Sequence, residues 1–222
     1  MKQSGWIIGI DEVGRGSIAG PVTVAALALP QESRIKNQES RAKLRDSKKL
    51  SSKQREQWFA YTKNHPKIFY AVAHVQPSVV DRINITQAAN RAATKALGKL
   101  LKNNELRIKN NARIYLDGGL YLVPELVEGL HYRNPSTPLR FAQGVNAKTV
   151  IRGDEKIKAV MLASIVAKVT RDRLMRRLHK KHPKYGFDAH KGYGTRAHMA
   201  AVKRLGPSPK HRLTFLIKTA MM

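Results

Sequence analysis

The stretch Ile7-Ile8-Gly9-Ile10-Asp11-Glu12-Val13-Gly14-Arg15-Gly16 decides the reading of this chain. An apolar run ends in two adjacent carboxylates, and a turn follows in which glycines flank one arginine. Short β-branched runs of this kind predict a buried strand. A buried carboxylate is costly unless something positive holds it. The run offers no partner for both acids, so a bound cation is the natural candidate. Ala19 to Leu29 reads as a second strand, which places the acids and the arginine turn between two strands.

Working outward, strands are expected over about 6–13, 20–29, 68–75, 112–117 and 141–145. Helices are expected from Ser51, a serine cap, to Lys63, and over 84–102, 158–182 and 196–204. This mixed order predicts an α/β layer domain. A boundary is expected near residue 183, with the layer domain over 1–182 and a small helical C-terminal module over 183–222. No repeat or low-complexity tract interrupts the chain.

The 222 residues carry 42 Lys and Arg against 15 Asp and Glu, a formal charge of +27. Such repulsion is tolerable when the partner is a polyanion, and nucleic acid is the first choice because each phosphate contact releases a counterion. No stretch is long enough to span a bilayer, and no leader precedes Asp11, so a cytoplasmic protein with no membrane partner is expected. Without cysteine there is neither a disulfide framework nor a thiolate zinc site. His179 and His182 have no acidic partner in register for zinc, and His190 and His211 read as substrate-facing or surface groups.

Among the acids, Asp11, Glu12 and Asp117 stand apart because each closes an apolar strand. Asp154 precedes a long helix, where it could simply favour the helix dipole. Carboxylates converging from strand ends suit hard divalent cations, and ordinary buried ion pairs are the alternative. Gly14-Arg15-Gly16 does not open a helix, so it is no dinucleotide fingerprint. It is either a plain tight turn or a backbone surface open to a sugar or phosphate. Lys168, Arg171, Arg173, Arg176, Arg177, Lys180 and Lys181 make a basic stripe on the long helix, solvated or phosphate-facing. Ser164 reads as packing on that helix. Tyr193, between Gly192 and Gly194, could stack on a sugar or base.

Together these stretches resemble ribonuclease HII. The resemblance rests on Gly9–Gly16, Asp46-Ser47-Lys48-Lys49-Leu50-Ser51, Ile83-Asn84-Ile85, Leu116-Asp117-Gly118 and Gly153-Asp154 with Ala163–Asp172. Tyr185-Gly186-Phe187, His190–Thr195 and His211-Arg212 complete the series in order. It implies an RNase H-like mixed sheet flanked by helices. It also implies an endonuclease acting on RNA–DNA hybrids and on single ribonucleotides in duplex DNA; separately, a monomer is expected. Asp11, Glu12, Asp117 and Asp154 would be catalytic and would bind two Mg²⁺ or Mn²⁺ ions. Gly14, Arg15 and Gly16 would read the 2′-hydroxyl, Lys48 would contact phosphate, and Tyr193 would pack on the following deoxyribose. Ser17 stands where that family usually has proline. A noncatalytic basic nucleic-acid-binding protein of the same fold is the alternative. The related ribonuclease HIII carries lysine between the glycines, so Arg15 argues against it.

Overall fold

The computed structural model describes residues 5–33, 43–103, 112–123, 130–131, 139–141 and 146–220. Among these, seven strands form one sheet: β1 (Trp6–Val13), β2 (Val22–Pro30), β3 (Phe69–Val75), β4 (Ala112–Asp117), β5 (Leu130–His131), β6 (Leu139–Phe141) and β7 (Asn146–Val150). Their spatial order is β3-β2-β1-β4-β7-β6-β5. β1, β4 and β7 run parallel at its centre. β2 and β3 extend one side antiparallel, and β6 and β5 the other.

Alternation along β1 sends its side chains to two different cores. Ile8 and Ile10 are fully buried against α3 (Ile85–Asn103), together with Val22, Val24, Ala26 and Ala28 of β2. The buried face of α3 is built on Ala88, Ala89, Ala92, Ala93 and Ala96, small side chains that let helix and sheet approach closely. Ile7 and Val13 face the opposite layer, where α5 (Lys158–Lys181) meets Ala25, Leu27 and Leu29. Trp58 and Phe59 of α1 (Ser52–Asn64) seal that core from outside. The expected Ser51 cap is present as a reciprocal capping box with Gln54.

Gly9 shows why the α5 layer can sit where it does. A Cβ there would lie 2.2 Å from the carbonyl carbon of Ala159 and 2.3 Å from the Val160 nitrogen. The start of α5 therefore rests on bare strand backbone, two residues before Asp11. Between β7 and α5 lies the single turn α4 (Gly153–Lys156), and α2 (Pro77–Ile83) leads into α3. Beyond α5 come α6 (Phe187–His190), α7 (Arg196–Leu205) and α8 (Leu213–Ala220). Phe187 packs with Met175 of α5 and with Ala19 in a third small core.

The expected strand over 141–145 falls almost wholly outside the described residues. The observed strands flank residues 142–145 at 139–141 and 146–150. β7 carries Asn146, Lys148 and Thr149, too polar for its pattern to stand out. α2 also goes beyond the sequence reading: a proline opens it at the first helical position, where no backbone donor is needed.

Replacing Gly9 by alanine should lower the melting temperature by about 4–8 °C, since overpacking against backbone costs ~2 kcal/mol. An unchanged melting temperature would show that α5 can move off the strand.

Candidate active site

Three parallel strands deliver the acids. Ile10 pairs with Leu116 and Asp117 with Val150, so β1, β4 and β7 end side by side. Carboxyl ends of parallel strands are where open α/β sheets place ligands. Asp11 and Glu12 lie at the end of β1 and Asp117 at the end of β4, while Asp154 lies in α4 just past β7. A hydrogen bond of 2.7 Å from the Gly153 nitrogen to Asp117 Oδ1 ties the last two together.

Asp11 is 4% exposed and Asp154 5%. Burial raises the Asp11 carboxyl well above its ordinary pKa, and the charges of Glu12, Asp117 and Asp154 add to the shift; a hydrogen bond from Ser164 opposes it. Glu12 is raised as well, by burial first and then by Asp117, against the pull of Arg15. Asp154 is raised by burial and by Asp117, against Lys48. Arg15 Nη1 reaches Glu12 Oε1 at 3.2 Å, but Glu12 Oε2 is buried with no partner among the described residues. Lys48 Nζ stands 3.4 Å from Asp154 Oδ2, and its side chain is 81% exposed. An ion pair so open to water is weak, so the lysine can leave for another anion.

Among the described residues, four carboxylates thus face two cationic side chains, and one buried oxygen is left without a hydrogen bond. This donor set fits hard divalent cations. The four do not close into a finished coordination shell: among the described residues no group of three or more His, Asp or Glu side chains is gathered tightly enough to hold an ion as it stands.

The arginine turn is held from beneath by two buried guanidiniums. Arg171 donates to Pro21 O (3.1 Å), Ala19 O (3.2 Å), Ser17 Oγ (2.8 Å) and Lys191 O (2.9 Å). Arg212 donates to Gly20 O at 3.1 and 2.9 Å and to Arg15 O at 3.0 Å. Gly14 has φ +86° and lies on Arg171, where a Cβ would come within 2.2 Å of Nε. Gly16 is exposed, with open space where a Cβ would be. Tyr193 is 37% exposed, and the Arg171 guanidinium carbon lies 5.6 Å from its ring centroid. One arginine therefore underlies both the turn and the tyrosine loop.

Several expectations change here. Arg171 is fully buried, so it is not part of the basic stripe. Its place on the buried face was legible, since Ser164, Ala167, Arg171 and Met175 recur at helical spacing and are all buried. Arg173 and Arg176 of the stripe pair with Glu56. Ser164 is more than packing: its Oγ is 2.8 Å from Ser47 Oγ, and it also hydrogen-bonds Asp11. His211, expected near substrate or surface, is 3% exposed and bonded to His198. Arg212 entered the sequence reading only as part of the His211-Arg212 motif, with no role assigned, and no local pattern marked His198. Ser17 supplies an acceptor to Arg171 that proline would lack.

A model of the family described as Ribonuclease HII matches residues 8–219. The chain belongs to the ribonuclease HII family. A ribonuclease HII of Chlamydia caviae is 37% identical over 209 residues, covering 94% of this chain and 83% of that protein. One from Xanthomonas campestris is 40% identical over 210 residues, covering 94% and 74%. The crystal structure of ribonuclease H2 from Pyrococcus horikoshii superposes with a TM-score of 0.65 at 25% identity, covering 94% of this chain and 93% of that one. The fold is therefore RNase H-like, and the chain is a type 2 ribonuclease H, a hydrolase acting on RNA–DNA hybrids. Among the described residues no helix is long and apolar enough to cross a membrane.

Carboxylates whose pKa is raised in the folded state favour the fold fully below about pH 4, and that contribution is lost as pH rises through the raised values. At neutral pH the ionised cluster thus destabilises the protein. Asp11→Asn should raise the melting temperature by about 2–4 °C, the shift that ~1 kcal/mol makes in a chain of this size. Mn²⁺ should raise the melting temperature of the unmodified protein and do so less in the variant. A variant that melts lower would make Asp11 an ordinary structural acid.

Proposed function

We propose that this ribonuclease HII cuts the RNA strand of hybrids and also nicks duplex DNA on the 5′ side of a single embedded ribonucleotide, leaving 3′-hydroxyl and 5′-phosphate ends. The observation that carries this reading is the buried carboxylate cluster with its unpartnered Glu12 Oε2, kept on a chain of charge +27. Asp11, Glu12, Asp117 and Asp154 would hold two Mg²⁺ or Mn²⁺ ions. When bound, such ions would lower the pKa of water and stabilise charge on the attacking and leaving oxygens.

The chain's own residues do the rest. Ser164 orients the Asp11 carboxylate, and the Gly153 backbone orients that of Asp117. Arg15 holds one Glu12 oxygen and leaves the other facing the site. Lys48 exchanges Asp154 for a substrate phosphate. The turn Gly14-Arg15-Gly16 presents exposed backbone at Gly16 to the 2′-hydroxyl, the group by which protein distinguishes RNA from DNA. The Arg15 carbonyl is already engaged by Arg212, so the turn is rigid before substrate arrives. Tyr193, half-exposed over Arg171, offers its ring to the following deoxyribose. Carboxylates, turn and tyrosine all come from one chain, so a monomer suffices, with residues 183–222 as the substrate-binding module on the catalytic domain formed by residues 1–182.

The deciding experiment uses a labelled DNA duplex with one ribonucleotide, incubated with Mg²⁺, Mn²⁺ or EDTA beside an all-DNA control. Nicking 5′ to the ribonucleotide with either metal, and neither in EDTA nor in the control, is expected. Asp11→Asn should lose turnover by about 10²–10³-fold, the loss that follows removal of one preorganised electrostatic group from an active site, with duplex Kd nearly unchanged. Binding without cleavage in either metal would overturn the reading.

A further inference from the structure

Three histidines lie behind the tyrosine loop, and the proposed reaction uses none of them. His190 stacks on His198 with ring centroids 4.0 Å apart, and His198 lies 5.1 Å from His211. Phe187 and Tyr185 pack around them. His198 is fully buried.

The hydrogen bonds among these rings fix where each proton sits. The Ser208 backbone nitrogen donates to His211 Nδ1 at 2.9 Å, so that nitrogen carries no proton and Nε2 does. His211 Nε2 faces His198 Nε2 at 3.0 Å, which makes the latter an acceptor. The His198 proton is then on Nδ1, 2.9 Å from the carbonyl oxygen of Tyr193. Every link points one way, from Ser208 through His211 and His198 to Tyr193. His190 follows the same logic: it accepts from the Gly192 nitrogen at 3.1 Å through Nδ1 and donates to Tyr185 O through Nε2 at 2.7 Å. Burial lowers the pKa of all three rings, that of His198 to about 4, which keeps the chain of donors intact at neutral pH.

The peptide that carries Tyr193 is therefore gripped on both sides. Gly192 N–H is held by His190, and Tyr193 C=O by His198. Gly192 O accepts from Ala19 N at 3.1 Å, which joins the loop to the strand-connecting segment beside the arginine turn. At Gly192 φ is +84°, and a Cβ would fall 2.3 Å from Ala19 O, so the approach admits only glycine.

We propose that His198 and His211 are positioning residues for cleavage, aiming the Tyr193 ring through its carbonyl and so setting the efficiency at a lone ribonucleotide rather than general duplex affinity. The inference rests on the reading of Tyr193 given above. A relay that merely glued the C-terminal segment together would need neither fixed polarity nor the tyrosine carbonyl as its end point.

The test compares Tyr193→Ala, His198→Leu and His198→Asn. The asparagine amide can replace the Nδ1 donor, whereas leucine supplies none. On a duplex with one ribonucleotide, Tyr193→Ala and His198→Leu should each lose about tenfold in kcat, as expected when a contact group shifts by a fraction of an ångström. Their Kd for an all-DNA duplex should stay within about twofold, and His198→Asn should recover most of the loss. If Tyr193→Ala falls and His198→Leu does not, the relay is overturned while the tyrosine reading stands. If Tyr193→Ala is unaffected, the tyrosine reading fails and the inference with it. Equal loss of all-DNA affinity in His198→Leu would make the pair structural only. Should that variant not fold, long-range ¹H–¹⁵N spectra of the unmodified protein at neutral pH decide. They should show His198 neutral and protonated at Nδ1, with His190 and His211 protonated at Nε2. A proton on His198 Nε2 overturns the proposal.

Discussion

Like charges buried together at the ends of neighbouring parallel strands are the constraint to which the rest of this fold answers. β1, β4 and β7 stop at one level, and that level is where Asp11, Glu12, Asp117 and Asp154 collect. Such a cluster resists burial, and only a stiff surround holds it. The surround is visible: the bare backbone of Gly9 under α5, the alanine face of α3, and the Ser47–Ser164 contact beneath Asp11. Arg15 and Lys48 relieve some of the repulsion from the rim and leave the remainder for a ligand.

A second theme is the buried guanidinium. Arg171 and Arg212 have their donors spent on backbone carbonyls and one serine, with no carboxylate among their hydrogen-bond partners in the described residues. A planar fork with several donors suits that task, and lysine would not. Carbonyl oxygens in the 15–21 segment that would point at solvent in an ordinary loop are consumed inside. Burial in turn pulls the Arg212 pKa down to about 9.

Much of this was legible in the sequence. The continuous apolar run before Asp11, the apolar Ile114-Tyr115-Leu116 before Asp117 and the serine cap at Ser51 each specify local structure from adjacent residues, and the structure agrees at all three. Polar β7 was not legible, because its place is set by pairing with β4 rather than by its own pattern. The contacts of Arg171, His198 and His211 were hidden for a related reason. A charged or titratable side chain reads as exposed until the groups that satisfy it are known: for Arg171 these lie about 150 positions earlier, and for His198 and His211 they sit in a loop and a turn that no periodic pattern describes. The spacing of Arg171 with Ser164 and Met175 was the one local clue that burial was coming.

That distance has a consequence in time. Arg171 bonds residues 150 positions earlier, and Arg212 bonds Gly20 from 192 positions away. Synthesis proceeds from the N-terminus, so a growing chain displays Asp11, Glu12, Asp117 and Asp154 well before Arg212 leaves the ribosome. Until then the arginine turn lacks its floor. The carboxylate cluster and the floor of the arginine turn are thus completed at different times, the turn only when the last helices close back onto the first loop.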